Sequence, residues 1–407
     1  RQRQMCIRDR YNFIDLFAGC GGFSEGFYME NYRSLLHLEI DKNACETLKE
    51  RMRYYQYEEN EVEKAVLCED ITNENILEIT KEIIGDQRVD VLVGGPPCQT
   101  FSSVGRAQDP DSMRNDPRNY LFENYLDILN FYRPKIFVFE NVTGLLTAKP
   151  GGELIFPQIL ERMRETYNVI GDEDTVTLNS VHYGVAQIRK RVILIGVRND
   201  IELDPQEIYD RIEKTHYAPD EEPSTLNRYR TVRDAIEDLP SLLPGEGKEE
   251  IDFKPTKWNE YLDELRDKEF DKLYNHVARK HNEKDRERYR ILSENNWQLK
   301  HLSDVRPDLI HHDPKHFGNR YTVQDYDKPG KTVVAHLYKD GNLFIHPDPS
   351  QERTFTVREA ARVQSFPDDF KFVGARTHQF KQVGNAVPPL MAKAIAKAIR
   401  EILDELE

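Results

Sequence analysis

From about Tyr11 to Arg198 the chain alternates short apolar or β-branched runs with longer stretches of helical spacing. The short runs are NFIDLF (12–17), LLHLE (35–39), VDVLVG (89–94), KIFVFE (135–140) and RVILIGV (191–197). Between them, segments 41–54, 74–84, 120–132 and 153–166 carry apolar residues three and four apart, the spacing of one helix face. Strands alternating with helices predict the α/β class with a mostly parallel sheet. Runs that are apolar throughout suit strands covered by helices on both faces. After Asn199 the pattern breaks. Residues 200–350 are rich in charge, Pro and Tyr, with weak helical spacing at 257–274 and 283–293, turns expected at PGEG (244–247) and KDGN (339–342), and a hairpin-like pattern over 332–347. Order returns at TFTVREAARVQSF (354–366), and QVGNAVPP leads into an amphipathic helix over 389–405. The organisation expected is a tail (1–10) outside the fold, a first domain (11–199), a smaller irregular second domain (200–353), and a segment (354–407) that returns to complete the first.

Composition narrows the classes. A length of 407 residues gives a prior of two to three domains, and 38% hydrophobic residues mixed with 32% charged ones suit a globular chain. No run approaches the roughly 18 apolar residues of a membrane span. All five cysteines (Cys6, Cys20, Cys45, Cys68, Cys98) fall in the first quarter without a CxxC pair or an apolar leader, a usage that points to a reducing, cytoplasmic setting. A net charge of −15 argues against indiscriminate coating of nucleic acid. The charge is uneven, however: residues 370–400 hold six Lys or Arg and no acid, and 182–198 hold four and none, so a local basic face is compatible with the total.

The candidate chemistry gathers at strand ends. DLFAGCGGFSEGF (15–27) is a Gly-rich turn between a strand and a helix, where Gly19, Gly21 and Gly22 allow close approach of a ligand. It is not GxGxxG, which weakens a dinucleotide reading. Glu39 closes the second run and Asp70, in LCEDI, follows the third. Singly each reads as a helix cap; together they suit the ribose hydroxyls and adenine of an adenosine-bearing ligand. The fourth run enters GGPPCQTFSSVGR (94–106), where Cys98 sits between a rigid Pro-Pro and a polar loop, a setting for a presented thiolate as much as for a buried structural cysteine. The next run ends in FENV (139–142), placing Glu140 at a neighbouring strand terminus. In QIRKR (187–191) the period of two puts Gln187, Arg189 and Arg191 on one face.

These motifs, with REAARVQSFP (358–367) and QVGNAVPP (382–389), resemble in order and spacing those of the bacterial C5-cytosine-specific DNA methyltransferases, across most of residues 12–400. The resemblance implies a Rossmann-like S-adenosylmethionine-dependent methyltransferase fold with a smaller, irregular target-recognition domain at 200–353. It implies S-adenosylmethionine held by Phe17, Gly19, Gly21, Gly22, Glu39, Ile40, Asp70, Ile71, Pro96, Asn385 and Ala386. Cys98 is implied as the nucleophile, with Glu140, Arg189 and Arg191 as its catalytic partners and Gln99, Ser102, Asn141 and Gln187 toward the substrate. Many relatives carry an aromatic residue where this chain has Ile40, whose aliphatic side chain would cover an adenine face less tightly.

The implied reaction uses the Cys98 thiolate to add at carbon 6 of cytosine, making carbon 5 nucleophilic enough to take a methyl group. A protonated Glu140 at N3 and Arg191 at O2 would stabilise the charge that develops, and the target base must be flipped out of the duplex. The loop from Gln99 to Asn119, with Arg106, Arg114 and Arg118, has the composition of a lid over that base. Expected partners are double-stranded DNA with a short recognition sequence and a cognate restriction endonuclease that is not physically bound, with no membrane and a monomeric chain. HVARKH (276–281), KHFGNRY (315–321) and 332–347 are candidate DNA contacts. Competing readings are an RNA (tRNA) cytosine methyltransferase on the same scaffold, a catalytically silent DNA-binding relative, which the intact Cys98, Glu140 and Arg191 disfavour, and a nucleotide-dependent oxidoreductase, which lacks its glycine pattern.

Overall fold

The computed structural model describes residues 11–97, 120–310 and 321–407, and they fall into two compact units. Unit 1 takes in residues up to 179 together with 190–213 and 391–407; unit 2 comprises 180–189 and 214–390.

Unit 1 is built on an eight-stranded sheet. In chain order its elements are β1 (Asn12–Leu16), α1 (Gly22–Met29), β2 (Arg33–Glu39), α2 (Lys42–Tyr54), α3 (Glu59–Ala65), β3 (Val66–Cys68), α4 (Ile76–Ile84), β4 (Val91–Gly94), α5 (Leu121–Tyr132), β5 (Ile136–Val142), α6 (Ile155–Arg164), β6 (Tyr167–Val169), β7 (Thr177–Asn179), β8 (Lys190–Arg198) and α7 (Pro205–Arg211). The strand order is β3-β2-β1-β4-β5-β8-β6, with β7 also on β8. The first five strands are mutually parallel. β8 runs antiparallel to β5, β6 and β7, so the RVILIGV run departs from the parallel arrangement of the others. Phe13, Ile14, Leu16, Val91, Leu92, Val93 and residues 136–139 are completely buried, as their unbroken apolar runs predict.

Local signals set the helix limits. Asp41 caps α2 by accepting from the amides of Asn43 (2.8 Å) and Ala44 (3.1 Å). The last helix begins at Pro389, and its buried Met391, Ile395, Ile399 and Ile402 repeat every three to four residues. From residue 391 it packs within unit 1: a Cβ on Gly26 of α1 would lie 2.4 Å from the Lys393 amide nitrogen, so only glycine permits this crossing. Tyr32 donates to the Ala396 carbonyl (3.0 Å), and Arg400 pairs with Glu30 (2.8 Å).

Unit 2 contains α8 (Val232–Ile236), β9 (Gly247–Asp252), α9 (Glu260–Leu265), β10 (Lys272–Val277), α10 (Glu283–Asn295), α11 (Val357–Val363) and α12 (Arg376–Asn385); β9 and β10 pair antiparallel. Two local expectations fail here. The segment 257–274 is helical only over Glu260–Leu265, because Lys272–Val277 is drawn into pairing with a strand more than twenty residues earlier. The segment 332–347 forms no hairpin: it holds a 3₁₀ turn at Ala335–Tyr338 and a bridge from Ile345 to Val323. The unit limits also differ from the expected boundaries, since 354–390 lies in unit 2 and within that segment's expected span only 391–407 returns to unit 1. The REAARVQSF helix is surrounded by unit 2 partners such as Asp238 and Tyr274.

Candidate active site

Leu16, the last residue of β1, pairs with Gly94, the last of β4. From this pair the strand order runs outward in both directions, making it the topological switch point at which open α/β sheets hold ligands. The Gly-rich turn and the GGPP segment therefore leave the sheet side by side.

In the turn, Phe17 (φ 57°), Gly19 (φ 56°) and Gly21 (φ 93°) take left-handed conformations, strained at Phe17 and free at the glycines. A Cβ on Gly19 would meet nothing within 4 Å, so open space lies above the turn. Gly22 is the first residue of α1. Glu39 clamps the turn to the end of β2. Its Oε2 accepts from the Gly19 amide (2.7 Å) and its Oε1 from the amides of Ile40 (2.9 Å) and Asp41 (2.7 Å). Burial raises the Glu39 carboxyl from its ordinary value, and these amides oppose the rise. Ile40 is 64% exposed, an unusual place for a large apolar side chain in this unit. Asp70 is exposed, with Oδ1 accepting from the Thr72 amide (2.9 Å) and hydroxyl (2.8 Å), and Ile71 beside it is buried.

A buried polar chain supports the turn from below, and sequence reasoning missed it. Ser24 Oγ donates to Asp15 Oδ2 (2.6 Å) and lies 3.2 Å from His37 Nδ1; His37 Nε2 lies 2.9 Å from the Tyr28 hydroxyl, itself 2.7 Å from Ser34 Oγ. Burial pushes the Asp15 carboxyl up to about 7 and the His37 imidazole down to about 3, so both favour their neutral forms. The signal was present: Asp15 and His37 are lone ionisable residues inside the apolar runs NFIDLF and LLHLE.

At the reactive end, Glu140 projects from β5 and Arg191 from β8. The antiparallel register places Val142 opposite Arg191 and Glu140 opposite Ile193, so the two side chains share a face one diagonal apart. Glu140 Oε1 lies 2.9 Å from Arg191 Nε, with the side chains only 14% and 12% exposed. Burial lowers the Arg191 value and the Glu140 charge opposes it. A Cβ on Gly95 would fall 2.7 Å from Glu140 Oε2, so glycine lets the segment after β4 lie against the carboxylate. Asn141 donates through Nδ2 to the Pro96 carbonyl (3.3 Å) and accepts the Val142 amide (2.9 Å), bracing the same segment. Cys98, Gln99 and Ser102 lie outside the described residues, as does the expected lid over 99–119.

The remaining expected residues belong to unit 2. Gln187 is fully buried: its amide nitrogen donates to Gln364, and its oxygen accepts from the Val333 amide (2.7 Å). Arg189, 2% exposed, donates to the carbonyls of Val333 (2.7 Å) and Gly384 (3.2 Å). Both side chains thus hold the backbone of their own unit. Asn385 is exposed at the end of α12, and the Ala386 carbonyl accepts from Gln364 (2.7 Å). Among the described residues no group of His, Cys, Asp and Glu has the makings of a metal site.

A doubly wound sheet with a glycine turn and a clamped acid at its switch point, and a carboxylate–guanidinium pair on the neighbouring β5 and β8, has the architecture of a methyltransferase-class α/β enzyme. Comparisons with known proteins make the class specific. The chain belongs to the C-5 cytosine-specific DNA methylase family, whose model matches residues 11–401. It is 34% identical, over 96% of its length and 99% of the relative's, to the type II methyltransferase M.Bpa9945I of Bacillus paralicheniformis. It is 36% identical, over 95% of its length and 88% of the relative's, to the type II methyltransferase M.DdeI of Desulfomicrobium norvegicum. Its fold is similar to the crystal structure of a prophage-encoded protein of E. coli described as a DNA modification methyltransferase, with a TM-score of 0.71, 23% identity, and 97% and 99% of the two chains covered. The protein is a DNA (cytosine-5-)-methyltransferase. Among the described residues no helix is long and apolar enough to cross a membrane.

Proposed function

We propose that the chain methylates one cytosine within a short sequence of duplex DNA, through a covalent bond between Cys98 and carbon 6 of a flipped base, with S-adenosylmethionine as the methyl source. The observation that carries this reading is the Glu140–Arg191 pair, packed against Gly95 three residues before Cys98. Open space over Gly19, the amide-anchored Glu39 and the exposed Ile40 fit the sugar and adenine of that cofactor. Phe17, Gly21, Gly22, Asp70, Ile71, Pro96, Asn385 and Ala386 complete its proposed surroundings. When bound, it supplies an electrophilic methyl group.

The chain's own residues do the rest. The Cys98 thiolate adds to carbon 6 while Glu140, carrying a proton, donates it to N3, which takes up the displaced electron pair, so the ring becomes a neutral enamine that is nucleophilic at carbon 5. Arg191, freed from its ion pair as the base arrives, donates to O2. After the methyl group is in place, loss of the carbon 5 proton returns electrons to the ring and expels the Cys98 thiolate. Gln187 and Arg189 act as positioning residues, fixing the Val333 backbone. Gln99, Ser102 and Asn141 are assigned to substrate binding, and unit 2 to sequence recognition. A restriction endonuclease of the same specificity is the expected functional counterpart, and a monomer the expected state.

Cys98→Ser should abolish methyl transfer while leaving DNA binding largely intact. The wild-type chain should form a stable adduct with an oligonucleotide carrying 5-fluorocytosine at the target. Undiminished transfer by Cys98→Ser, or no adduct at position 98, would refute the assignment. Sequencing of methylated cytosine in genomic DNA from expressing cells would identify the site.

A further inference from the structure

Two cysteines that the reaction does not use meet behind the proposed cofactor site. Cys45, on the second turn of α2, is 1% exposed and donates to the Glu39 carbonyl (3.4 Å). Cys68, the last residue of β3, is exposed and donates to the Ile40 carbonyl (3.9 Å). Strand register sets Cys68 directly opposite Glu39, the residue whose carbonyl accepts from Cys45. Both are free thiols. One is therefore accessible to an oxidant, the other is sheltered beside it, and together they grip consecutive peptides of the Glu39–Ile40 segment. Cys45 also belongs to the apolar cluster with Ala18 of the Gly-rich turn and Leu48 of α2.

We propose that Cys45 and Cys68 are a reversible oxidation site, at which a peroxide converts the pair to a disulfide and thereby weakens cofactor binding. The proposal rests on the reading of Glu39 and Ile40 as cofactor contacts. In the first step the Cys68 thiolate attacks one peroxide oxygen; the O–O bond breaks, hydroxide leaves and takes up a proton as water, and Cys68 becomes a sulfenic acid. In the second, Cys45 loses its proton and its sulfur attacks the Cys68 sulfur. The S–O bond breaks, a second water leaves, and the disulfide remains: two thiols and one hydrogen peroxide give one disulfide and two waters. A small dithiol reverses it by exchange. Burial raises the Cys45 thiol above its ordinary value, so ring closure accelerates with rising pH. Once joined, neither sulfur donates to the Glu39 and Ile40 carbonyls, and the first turns of α2 are drawn toward the end of β3.

The test uses the full chain carrying Cys98→Ser, so that oxidation of the proposed nucleophile cannot intrude. After hydrogen peroxide, alkylation and proteolysis, mass spectrometry should find the peptides of Cys45 and Cys68 joined, and joined faster at pH 8.5 than at pH 7. S-adenosylhomocysteine affinity, measured by calorimetry, should fall about tenfold, an energetic change of about 1.4 kcal/mol, and recover with dithiothreitol. Adding Cys68→Ser, which keeps a hydroxyl donor beside the Ile40 carbonyl, should make the affinity the same before and after peroxide. Oxidation that leaves Cys45 and Cys68 unjoined, or a joined pair with unaltered affinity, would overturn the proposal. Glu39→Ala tests the underlying reading separately: if that change leaves affinity intact the cofactor placement fails, whatever the thiols do.

Discussion

The two units bury different things. In unit 1 the largest fully buried side chains are aromatic: Phe13, Phe27, Phe137, Phe139, Tyr125 and Tyr167. In unit 2 they include Arg189, Arg353, Arg358 and Arg362. Arg353 meets Glu359 through two bonds of 2.7 Å, Arg362 spans Asp238 (2.6 Å) and Asp368 (2.6 Å), and Arg266 joins Asp368 (2.7 Å). Arg358 has no carboxylate bond of this kind and instead donates to the carbonyls of Tyr274, Pro367 and Phe370. Desolvation makes such charges expensive, and they persist because every one is answered by a fixed acceptor. A sheet core gains from burying area and tolerates changes of shape. A core of guanidinium forks has few interchangeable partners but can tie together loops that lack regular structure.

This contrast can be broken most severely at Arg362. Arg362→Met would leave Asp238 buried without its cation and Asp368 with Arg266 alone, and should cost about 3–5 kcal/mol, read as loss of the unit 2 transition in denaturant unfolding. In unit 1, Leu36→Ala removes a fully buried β2 side chain and should cost about 2–5 kcal/mol, with a continuous dependence on the size of the replacement that the arginine site will not show.

A titration sharpens the comparison, because unit 1 holds, besides the buried Arg51–Glu25 pair (2.6 Å), two buried ionisable groups that favour their neutral forms. The Asp15 carboxyl, raised to about 7, binds its proton more tightly in the folded chain than in the unfolded one. Its contribution is whole below the ordinary carboxylate range and is lost as pH climbs through about 7. His37, lowered to about 3, acts in the opposite sense: its contribution is whole above its ordinary value of 6.5 and is lost as pH falls toward about 3. Between pH 5 and about 6.5 the two contributions oppose each other, so stability should stay nearly level there and decline by only about 1 kcal/mol as pH climbs through about 7; Asp15→Asn should remove that decline and leave a rise toward pH 6.5. The smallest effect is at the cap of α2, where Asp41→Ala should cost about 1 kcal/mol in thermal unfolding through the amides of Asn43 and Ala44.

The same contrast explains what could be read from the sequence. The runs 12–17, 35–39, 89–94, 135–140 and 191–197 each overlap a strand, because continuous apolar burial leaves a one-dimensional trace. Glu39 and Glu140 were legible because an acid at the end of such a run has no packing reason to be there. The direction of β8 was not legible, since strand polarity depends on the connection and not on composition. Unit 2 left little trace because a buried Arg353 or Arg358 looks like a surface residue in any hydrophobic pattern, and its carbonyl partners carry no sequence signature. The Asp15–His37 chain was overlooked because each residue makes sense only beside the other.

The helix that begins at Pro389 imposes an order on biosynthesis. Its stretch from 391 onward packs on α1, yet it leaves the ribosome only after residues 214–390 have been made. Until then the groove beside Gly26 and Tyr32 is bare, and the nascent first unit must wait, its apolar flank open to chaperones, for the one piece that closes it.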